Sequence, residues 1–278
     1  MIYPALDVRG AATDLLLALV DDFCPTAIEE RDDTVRVFFP TTSIRDDART
    51  QLARQFDVAS IDVPDEDWAR RSQSNLAPVT VGRITVATRA ASLALSPQPS
   101  ALRIVIEPSM GFGTGHHVTT RLCLEALQTL DVHGETVLDA GTGSGILAIA
   151  AARLGAARAI GIDDDADAIQ AARENLALNA MAAVGFDVGD LRSMTLPRAD
   201  VVTANLTGAL LVKAAATLLA ATRPGGALVL SGILAAERDD VVRAFAGTRI
   251  QWEREEDGWV GLLVIKTVAV NHGPSNPV

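Results

Sequence analysis

The sequence predicts an α/β fold, in which a large domain with a mostly parallel β-sheet follows a small α+β domain. After about residue 100, short apolar runs alternate with helical segments. Several of these runs are apolar on both faces, as strands of a parallel sheet covered by helices are. Residues 1–62 instead follow the order β-α-β-β-α-β of a ferredoxin-like module. We therefore expect two domains with different sheets.

The small domain is predicted over residues 1–62. Helices are expected at residues 11–23 and 46–56 because their apolar residues recur at helical spacing. Strands are expected at residues 5–8, 27–30, 34–39 and 58–63. Residues 63–100 are predicted to form a linker with one strand, residues 79–87, that leads into the large domain.

The large domain is predicted over residues 101–268, with a flexible tail at 269–278. Strands are predicted at residues 103–106, 137–139, 159–163, 184–188, 200–205, 227–231, 250–253 and 259–266. Helices are predicted at residues 119–130, 146–154, 166–179, 208–222 and 235–245. The last two strands flank Asp257-Gly258, a hairpin signal. We therefore expect five parallel strands and a final hairpin that makes the sheet mixed.

A strand–loop–helix–strand unit at residues 136–163 predicts a nucleotide-sized site at the strand ends. The loop at residues 141–145 reads GTGSG, so its glycines occupy alternate positions. A dinucleotide fingerprint needs G-x-G-x-x-G, and Ile146 stands where its third glycine belongs. The chain also lacks the P-loop motif for phosphate. The loop therefore favours a ligand without phosphates.

Acids at the strand ends indicate the chemistry of that ligand. Asp139 ends the strand predicted at residues 137–139, where a carboxylate suits an ammonium group and is unfavourable beside a pyrophosphate. Asp163 follows Gly141 by 22 residues, where an acid can bind both ribose hydroxyls. Asp190 follows the strand predicted at residues 184–188, where its side chain can contact an adenine amino group. S-adenosylmethionine has all of these parts. A tight turn capped by Asp139 is the alternative.

Two further segments indicate an acceptor site beside the cofactor. Asn205 ends the strand predicted at residues 200–205, where its carbonyl oxygen can accept hydrogen bonds from a substrate amine. Helix capping is the alternative role for Asn205. Residues 107–120, EPSMGFGTGHHVTT, are predicted to form a loop that folds over a ligand. His116 and His117 lack a third ligand at suitable spacing, so no metal site is expected.

Composition and charge restrict the class of partner. The formal net charge of −11 disfavours nucleic-acid binding through a broad basic patch. No apolar run reaches eighteen residues, and the first ten residues lack the pattern of a signal peptide. Cys24 and Cys123 form neither a disulfide framework nor a metal-ligand pattern. We expect a cytoplasmic protein without membrane segments or direct contact with nucleic acid.

Five segments together resemble the bacterial PrmA family, whose members methylate ribosomal protein L11. They read FGTGHHVTTRLCLEAL, VLDAGTGSGILAIAA, GIDDDADAIQAARENLALN, VVTANLTGAL and LSGIL. The resemblance runs from about residue 67 to residue 266, and more loosely into the small domain. It implies a seven-stranded class I methyltransferase (Rossmann-like) fold with an N-terminal substrate-recognition domain. S-adenosylmethionine is the implied cofactor, and ribosomal protein L11 the implied partner.

The resemblance also implies site residues. The positions that match the family's cofactor-binding residues are Thr120, Gly141, Asp163 and Asn205, and all four are present. The residues themselves add Asp139, Gly143 and Asp190 as candidates for cofactor binding. The candidates for catalysis are Asn205 and Leu206, which orient the acceptor amine, and Phe112, which covers the methyl group. Packing in the core is the alternative role for Phe112.

The expected reaction is methyl transfer to an amine nitrogen, either a lysine side chain or an N-terminal amine. Two segments depart from the family pattern, because His116 replaces a threonine and Asn205-Leu206-Thr207-Gly208 replaces N-I-L-A. Other acceptors therefore stay open: another protein lysine, a small molecule or RNA. A non-catalytic cofactor-binding interaction protein is a further alternative. A dinucleotide oxidoreductase is disfavoured by Ile146 and Asp139.

Overall fold

The structure is a computed structural model that describes residues 2–11, 16, 19–20, 23, 25–30, 33–64, 77–95, 102–107, 115–181 and 183–268. The chain divides into two compact units, Met1–Asn75 and Leu76–Val278. The predicted tail at residues 269–278 lies outside the described residues. The predicted domain boundaries at residues 62, 100 and 268 stay predictions. None of the described helices is long and apolar enough to cross a membrane.

The first unit contains a four-stranded antiparallel sheet and a helix. Its elements are β1 (Ile2–Arg9), β2 (Ala27–Glu30), β3 (Thr34–Phe38), α1 (Thr42–Leu52) and β4 (Asp57–Pro64). The strand order is β2-β3-β1-β4. Alternate residues such as Leu6, Val8 and Val37 form a core with Ala48 and Leu52 of α1. Most of the helix predicted at residues 11–23 lies outside the described residues, so the ferredoxin-like assignment stays a prediction.

The second unit begins with a three-stranded sheet, ordered β5-β6-β7. Its elements are β5 (Val79–Val81), β6 (Ile84–Ala87), α2 (Arg89–Ala94) and β7 (Leu102–Val105). The single strand predicted at residues 79–87 is thus a hairpin. Gly82 has φ +57°, a left-handed conformation that reverses the chain there. The Gln128 side chain fastens this turn, because it donates to the Val81 carbonyl and accepts from the Arg83 N–H.

The other described residues of the second unit form a seven-stranded sheet flanked by helices. Its strands are β8 (Thr136–Ala140), β9 (Arg158–Asp163), β10 (Val184–Val188), β11 (Ala199–Asn205), β12 (Thr222–Leu234), β13 (Thr248–Glu256) and β14 (Trp259–Lys266). Its helices are α3 (Val118–Gln128), α4 (Ile146–Arg153), α5 (Ala166–Asn179), α6 (Gly208–Ala221) and α7 (Arg238–Ala244), the last preceded by the 3-10 turn Ala235–Glu237. The strand order is β10-β9-β8-β11-β12-β14-β13.

Strand directions confirm the predicted α/β fold. The five strands from β10 to β12 in that order are parallel, and β14 runs antiparallel to both of its neighbours. Val137 and Val201 pack with α3 and α4 on one face of the sheet. Leu138 and Val202 pack with α6 and α7 on the other. From β8 the chain continues to β9 on one side and later to β11 on the other. The ends of β8 and β11 therefore form the crevice where such sheets bind ligands.

Candidate active site

The loop between β8 and α4 requires glycine at its three alternate positions. Gly141, Gly143 and Gly145 have φ values of +73°, +51° and +81°, which side chains disfavour. A Cβ on Gly141 would lie 2.3 Å from the Leu206 Cδ2, and one on Gly145 would lie 2.7 Å from the Phe186 Cζ. The loop therefore packs closely on its neighbours and leads directly into the start of α4, where backbone N–H groups lack helical partners.

Asp163, at the end of β9, fastens this glycine loop. Its Oδ2 accepts a hydrogen bond from the Gly143 N–H at 2.8 Å, and its Oδ1 accepts one from the Asp165 N–H at 3.1 Å. Each carboxylate oxygen has two lone pairs, so both can accept a further bond. Asp163 lines a cavity of about 310 Å³. The carboxylate can thus hold the loop and bind a ligand hydroxyl at the same time.

Asp190 lines the same cavity, and the structure pairs it with Arg192. The Arg192 Nε donates to the Asp190 Oδ1 at 2.8 Å, and the Arg192 backbone N–H donates to the same oxygen. These hydrogen bonds hold the pKa of the Asp190 carboxyl below its ordinary value. Asp190 therefore faces the cavity as an ionised acceptor.

A second cavity, of about 390 Å³, adjoins the first. Both are lined by Gly141, Gly143, Asn205, Leu206 and Leu210. The surface of the second cavity is largely apolar, and its remaining walls are formed by Ile146, Leu147, Gly232 and Trp259 beside the polar groups of His117, Thr119, Thr120, Thr142 and Thr207. A ligand in the first cavity and one in the second would therefore meet beside Asn205.

Asn205 is oriented by α3, and the next residue is fixed by β12. The Asn205 Nδ2 donates to the Thr120 Oγ1 at 3.4 Å, and Thr120 is fully buried. The Leu206 N–H donates to the Ser231 carbonyl at 3.0 Å. A Cβ on Gly232 would lie 2.2 Å from the Leu206 carbonyl oxygen, so the two backbones are in direct contact. Because the Nδ2 of Asn205 already donates to Thr120, its side-chain carbonyl oxygen is the atom that can accept a hydrogen bond from a ligand.

His117 and Trp259 form a wall of the second cavity that the sequence analysis missed. Their ring centroids lie 5.3 Å apart with an interplanar angle of 72°. His117 also caps α3, where its Nδ1 lies 2.8 Å from the Thr119 Oγ1. Burial lowers the pKa of His117, and the nearby Arg121 lowers it further, so both effects favour the neutral form of the ring. The imidazole of His117 and the indole of Trp259 give the second cavity an aromatic wall.

The two adjacent histidines point to different partners. The His116 Nε2 lies 2.9 Å from the Ala77 carbonyl oxygen, whereas His117 contacts Thr119 and Trp259. Across the described ranges, no group of three or more His, Cys, Asp or Glu side chains is arranged to hold a metal ion.

The structure places Asp139 beneath the glycine loop and outside the walls of both cavities, contrary to the expectation that it faces an ammonium group. Asp139 is 1% exposed. Its Oδ2 accepts from the Thr142 hydroxyl at 2.6 Å, and its Oδ1 accepts from the Thr203 hydroxyl at 2.7 Å. Burial raises the pKa of Asp139 to about 6, although these bonds partly oppose the shift. The physical reason for the difference is that both oxygens face hydroxyls inside the protein.

The structure therefore brings together most of the candidates that the sequence predicts. The residues that line one or both cavities are Thr120, Gly141, Gly143, Asp163, Asp190, Asn205 and Leu206. Asp139 supports the loop from below, and Phe112 lies outside the described residues. The role of each residue in binding or catalysis stays a prediction.

Two buried asparagines of α5 also position the site, and the sequence analysis missed them. The Asn175 Nδ2 donates to the Ser144 carbonyl in the glycine loop at 3.0 Å, while its Oδ1 accepts from the Glu107 N–H at 2.9 Å. The Asn179 Oδ1 accepts from the Val105 N–H at 3.0 Å. The signal was available, because asparagines four residues apart lie on one face of a helix. They fasten the chain before residues 108–114 to the glycine loop.

Comparison with known proteins assigns the family. The family described as Ribosomal protein L11 methyltransferase (PrmA) matches residues 24–267. The Ribosomal protein L11 methyltransferase of Deinococcus radiodurans is 38% identical in an alignment 273 positions long, which covers 94% of this chain and 95% of that protein. That of Geobacter metallireducens is 46% identical in an alignment 190 positions long, which covers 66% of this chain and 60% of that protein.

A solved structure agrees with this assignment. The ribosomal protein L11 methylase from Lactobacillus delbrueckii subsp. bulgaricus matches with a TM-score of 0.62 and 26% identity. The match covers 69% of this chain and 99% of that one. The family match spans well over half of the chain and includes the glycine loop, Asp163 and Asn205. The chain therefore belongs to the PrmA family of S-adenosylmethionine-dependent methyltransferases.

Proposed function

We propose that this protein transfers the methyl group of S-adenosylmethionine to an amine nitrogen of ribosomal protein L11, either a lysine side chain or the N-terminal amine. The observation that supports this best is that the two cavities adjoin at Asn205 and Leu206. One cavity suits a nucleoside and the other suits an alkyl amine. The relatives that match this chain are named for methylation of this ribosomal protein.

The residues of the first cavity fit the cofactor. Gly141 and Gly143 carry no side chain, so a ligand can approach their backbone closely. Asp163 has acceptor capacity for the ribose hydroxyls, and Asp190 can accept a bond from the adenine amino group. When bound, S-adenosylmethionine supplies a methyl group on a positively charged sulfur. The protein therefore has to hold the acceptor nitrogen in line more than to activate an electrophile.

The second cavity holds and deprotonates the amine in this proposal. The Asn205 carbonyl oxygen accepts a hydrogen bond from the nitrogen, and Leu206 keeps the amide in place through its bond to Ser231. An ammonium group has an ordinary pKa of about 10.4 and must lose a proton before it attacks. Apolar walls such as Leu210 and Trp259 disfavour the charged form, so the proton leaves to water as the amine enters. Phe112 is proposed to cover the methyl group.

The charge of the chain suits a basic partner. A formal net charge of −11 attracts basic proteins over several ångströms and raises the rate of encounter. We assign recognition of the partner to the small N-terminal domain, and the reaction to the cytoplasm, where ribosomal proteins are made. Methylation is accordingly expected to slow as ionic strength rises, because salt screens this attraction.

The full chain, incubated with purified ribosomal protein L11 and S-adenosylmethionine labelled in the methyl group, tests the function. We expect label on L11, and no label on L11 whose amines have been blocked by acetylation. Label on the acetylated protein would contradict an amine acceptor. A parallel incubation with cell lysate separates the alternatives, because label on RNA or a small molecule with none on L11 would assign another acceptor.

Lowering the pH through about 6 is expected to weaken cofactor binding, because the pKa of Asp139 is raised to about 6. A protonated carboxyl carries a hydrogen on one oxygen, so its hydrogen bonds with Thr142 and Thr203 are weaker than those of the carboxylate. The groups that face it are the Cys123 thiol, whose pKa burial raises, and Asp163. Because the folded-state pKa lies above the ordinary value, protonation of Asp139 stabilises the fold as the pH falls. If binding weakens at low pH, the cause is therefore not a loss of fold stability through protonation of Asp139.

Calorimetric titration with S-adenosylhomocysteine measures the pH effect. We expect Kd to rise about threefold between about pH 7.5 and about pH 5.5. The control is Asp139→Asn, which cannot titrate and which shares any titration of the ligand itself. The Kd of this variant is expected to be raised at both pH values and to change less between them. Equal pH dependence in the two proteins would show that Asp139 is not the titrating group.

A further inference from the structure

Asp139 joins the glycine loop to the strand that contains Asn205. In the parallel pairing of β8 with β11, Asp139 and Thr203 are register partners. Thr203 is fully buried, and its hydroxyl donates to one oxygen of Asp139 while the hydroxyl of Thr142 donates to the other. The three side chains therefore form a buried unit between the loop and β11.

Thr203, one member of this buried unit, lies two residues before Asn205, whose amide is proposed to bind the acceptor amine. Side chains of a strand alternate between its faces, so Thr203 and Asn205 project from the same face of β11. Asn205 in turn donates to Thr120 on α3. A continuous set of contacts thus runs from the loop, through Thr142, Asp139 and Thr203, to the strand end that presents Asn205.

The buried carboxylate makes these contacts rigid. A charge in the interior needs hydrogen-bond donors, and bonds to an ionised group are about twice as strong as neutral ones. Thr142 and Thr203 supply donors at 2.6 and 2.7 Å, and all three side chains are less than a twentieth exposed. Moving the loop relative to β11 would leave the carboxylate with an oxygen that lacks its donor.

We propose that Asp139 and Thr203 are positioning residues that hold the cofactor loop and Asn205 in one fixed arrangement. The proposal rests on the function proposed above. Asp139 and Thr203 line neither cavity, so they act through Thr142 and through β11. A misplacement of about 1 Å is enough to slow a group transfer about a hundredfold, so loss of this tie should affect turnover more than binding.

The decisive variant is Thr203→Val, which keeps the shape of the side chain and removes the hydroxyl. We expect kcat for methylation of L11 to fall about tenfold and the Kd for S-adenosylhomocysteine to rise about threefold. Thr203→Ser restores the hydroxyl and is expected to restore both quantities to within about twofold.

Thr222→Val is the matched control. Thr222 is also buried, and its hydroxyl donates to the Leu218 carbonyl at 2.8 Å, but it begins β12 at the opposite end of the strands from the site. This variant loses a buried hydrogen bond of similar length. We expect its Tm to fall as in Thr203→Val, with kcat and Kd unchanged.

The outcomes separate the proposal from a structural role. If Thr203→Val lowers Tm as Thr222→Val does but leaves kcat and Kd at wild-type values, the proposal is wrong. It is equally wrong if Thr203→Ser behaves like Thr203→Val. If the wild-type chain does not methylate L11, the proposed function fails, and the Kd comparison alone decides the positioning role: a rise supports it and an unchanged Kd overturns it.

Discussion

Replacing Asn205 by alanine is expected to lower kcat for methyl transfer about a hundredfold and to change the cofactor Kd by less than about threefold. Asn205 lines both cavities, but its polar contact is with Thr120 on the acceptor side. Alanine removes the carbonyl oxygen that is proposed to orient the attacking nitrogen. It leaves Asp163 and the glycine loop, which hold the cofactor in the proposed reaction. Single-turnover kinetics with L11, together with calorimetry of S-adenosylhomocysteine, measure the two quantities.

The matched variant for this test is Asn205→Asp, which keeps an acceptor oxygen and nearly the same shape. An aspartate can still accept from the amine and from the Thr120 hydroxyl. We therefore expect Asn205→Asp to retain more activity than Asn205→Ala. Equal losses in kcat and in cofactor affinity for Asn205→Ala would assign Asn205 to cofactor binding and leave the acceptor without its proposed hydrogen-bond partner.

Much of the large domain could be predicted because its signals are local. Strand β10 and helix α5 have the bounds that the sequence predicts, since local signals mark their limits: Gly189 follows β10, and Asp165 caps the start of α5. The 79–87 segment differs because Gly82 adopts a left-handed conformation in the middle of a run that alternates like one strand. Periodicity does not reveal where the chain reverses within such a run.

The sequence could predict which chain positions lie near the site, but not the direction in which each side chain points. Asp139 and Asp163 both end strands beside the glycine loop, and the sequence gives them similar status. The structure separates them, because Thr203, 64 residues away along the chain, supplies a donor beneath the loop that draws Asp139 inward. Trp259 was missed for a related reason: only the sheet order brings the start of β14 next to His117. Long-range contacts of this kind have no local signal.

Replacing Asp163 by alanine is expected to raise the cofactor Kd about a hundredfold. Two hydrogen bonds from ribose hydroxyls to a carboxylate contribute about 3 kcal/mol together, and about 1.4 kcal/mol corresponds to a tenfold change in Kd. Alanine also deprives the Gly143 N–H of its acceptor, which now lies at 2.8 Å. Calorimetric titration with S-adenosylhomocysteine measures the loss, and near-ultraviolet circular dichroism checks that the fold is intact.

Two variants decide whether this loss comes from the ribose or from the loop. Asp163→Asn keeps one acceptor oxygen for Gly143 but removes the charge, so we expect its Kd to lie about tenfold above wild type. Asp164→Ala removes the neighbouring carboxylate, which lines the same cavity and pairs with Arg192 at 3.7 Å, and it should change Kd by less than about twofold. A similar loss in Asp164→Ala would mean that the charge of the cavity matters more than contact with the ribose. Wild-type affinity in Asp163→Asn would leave Asp163 only the task of holding the glycine loop.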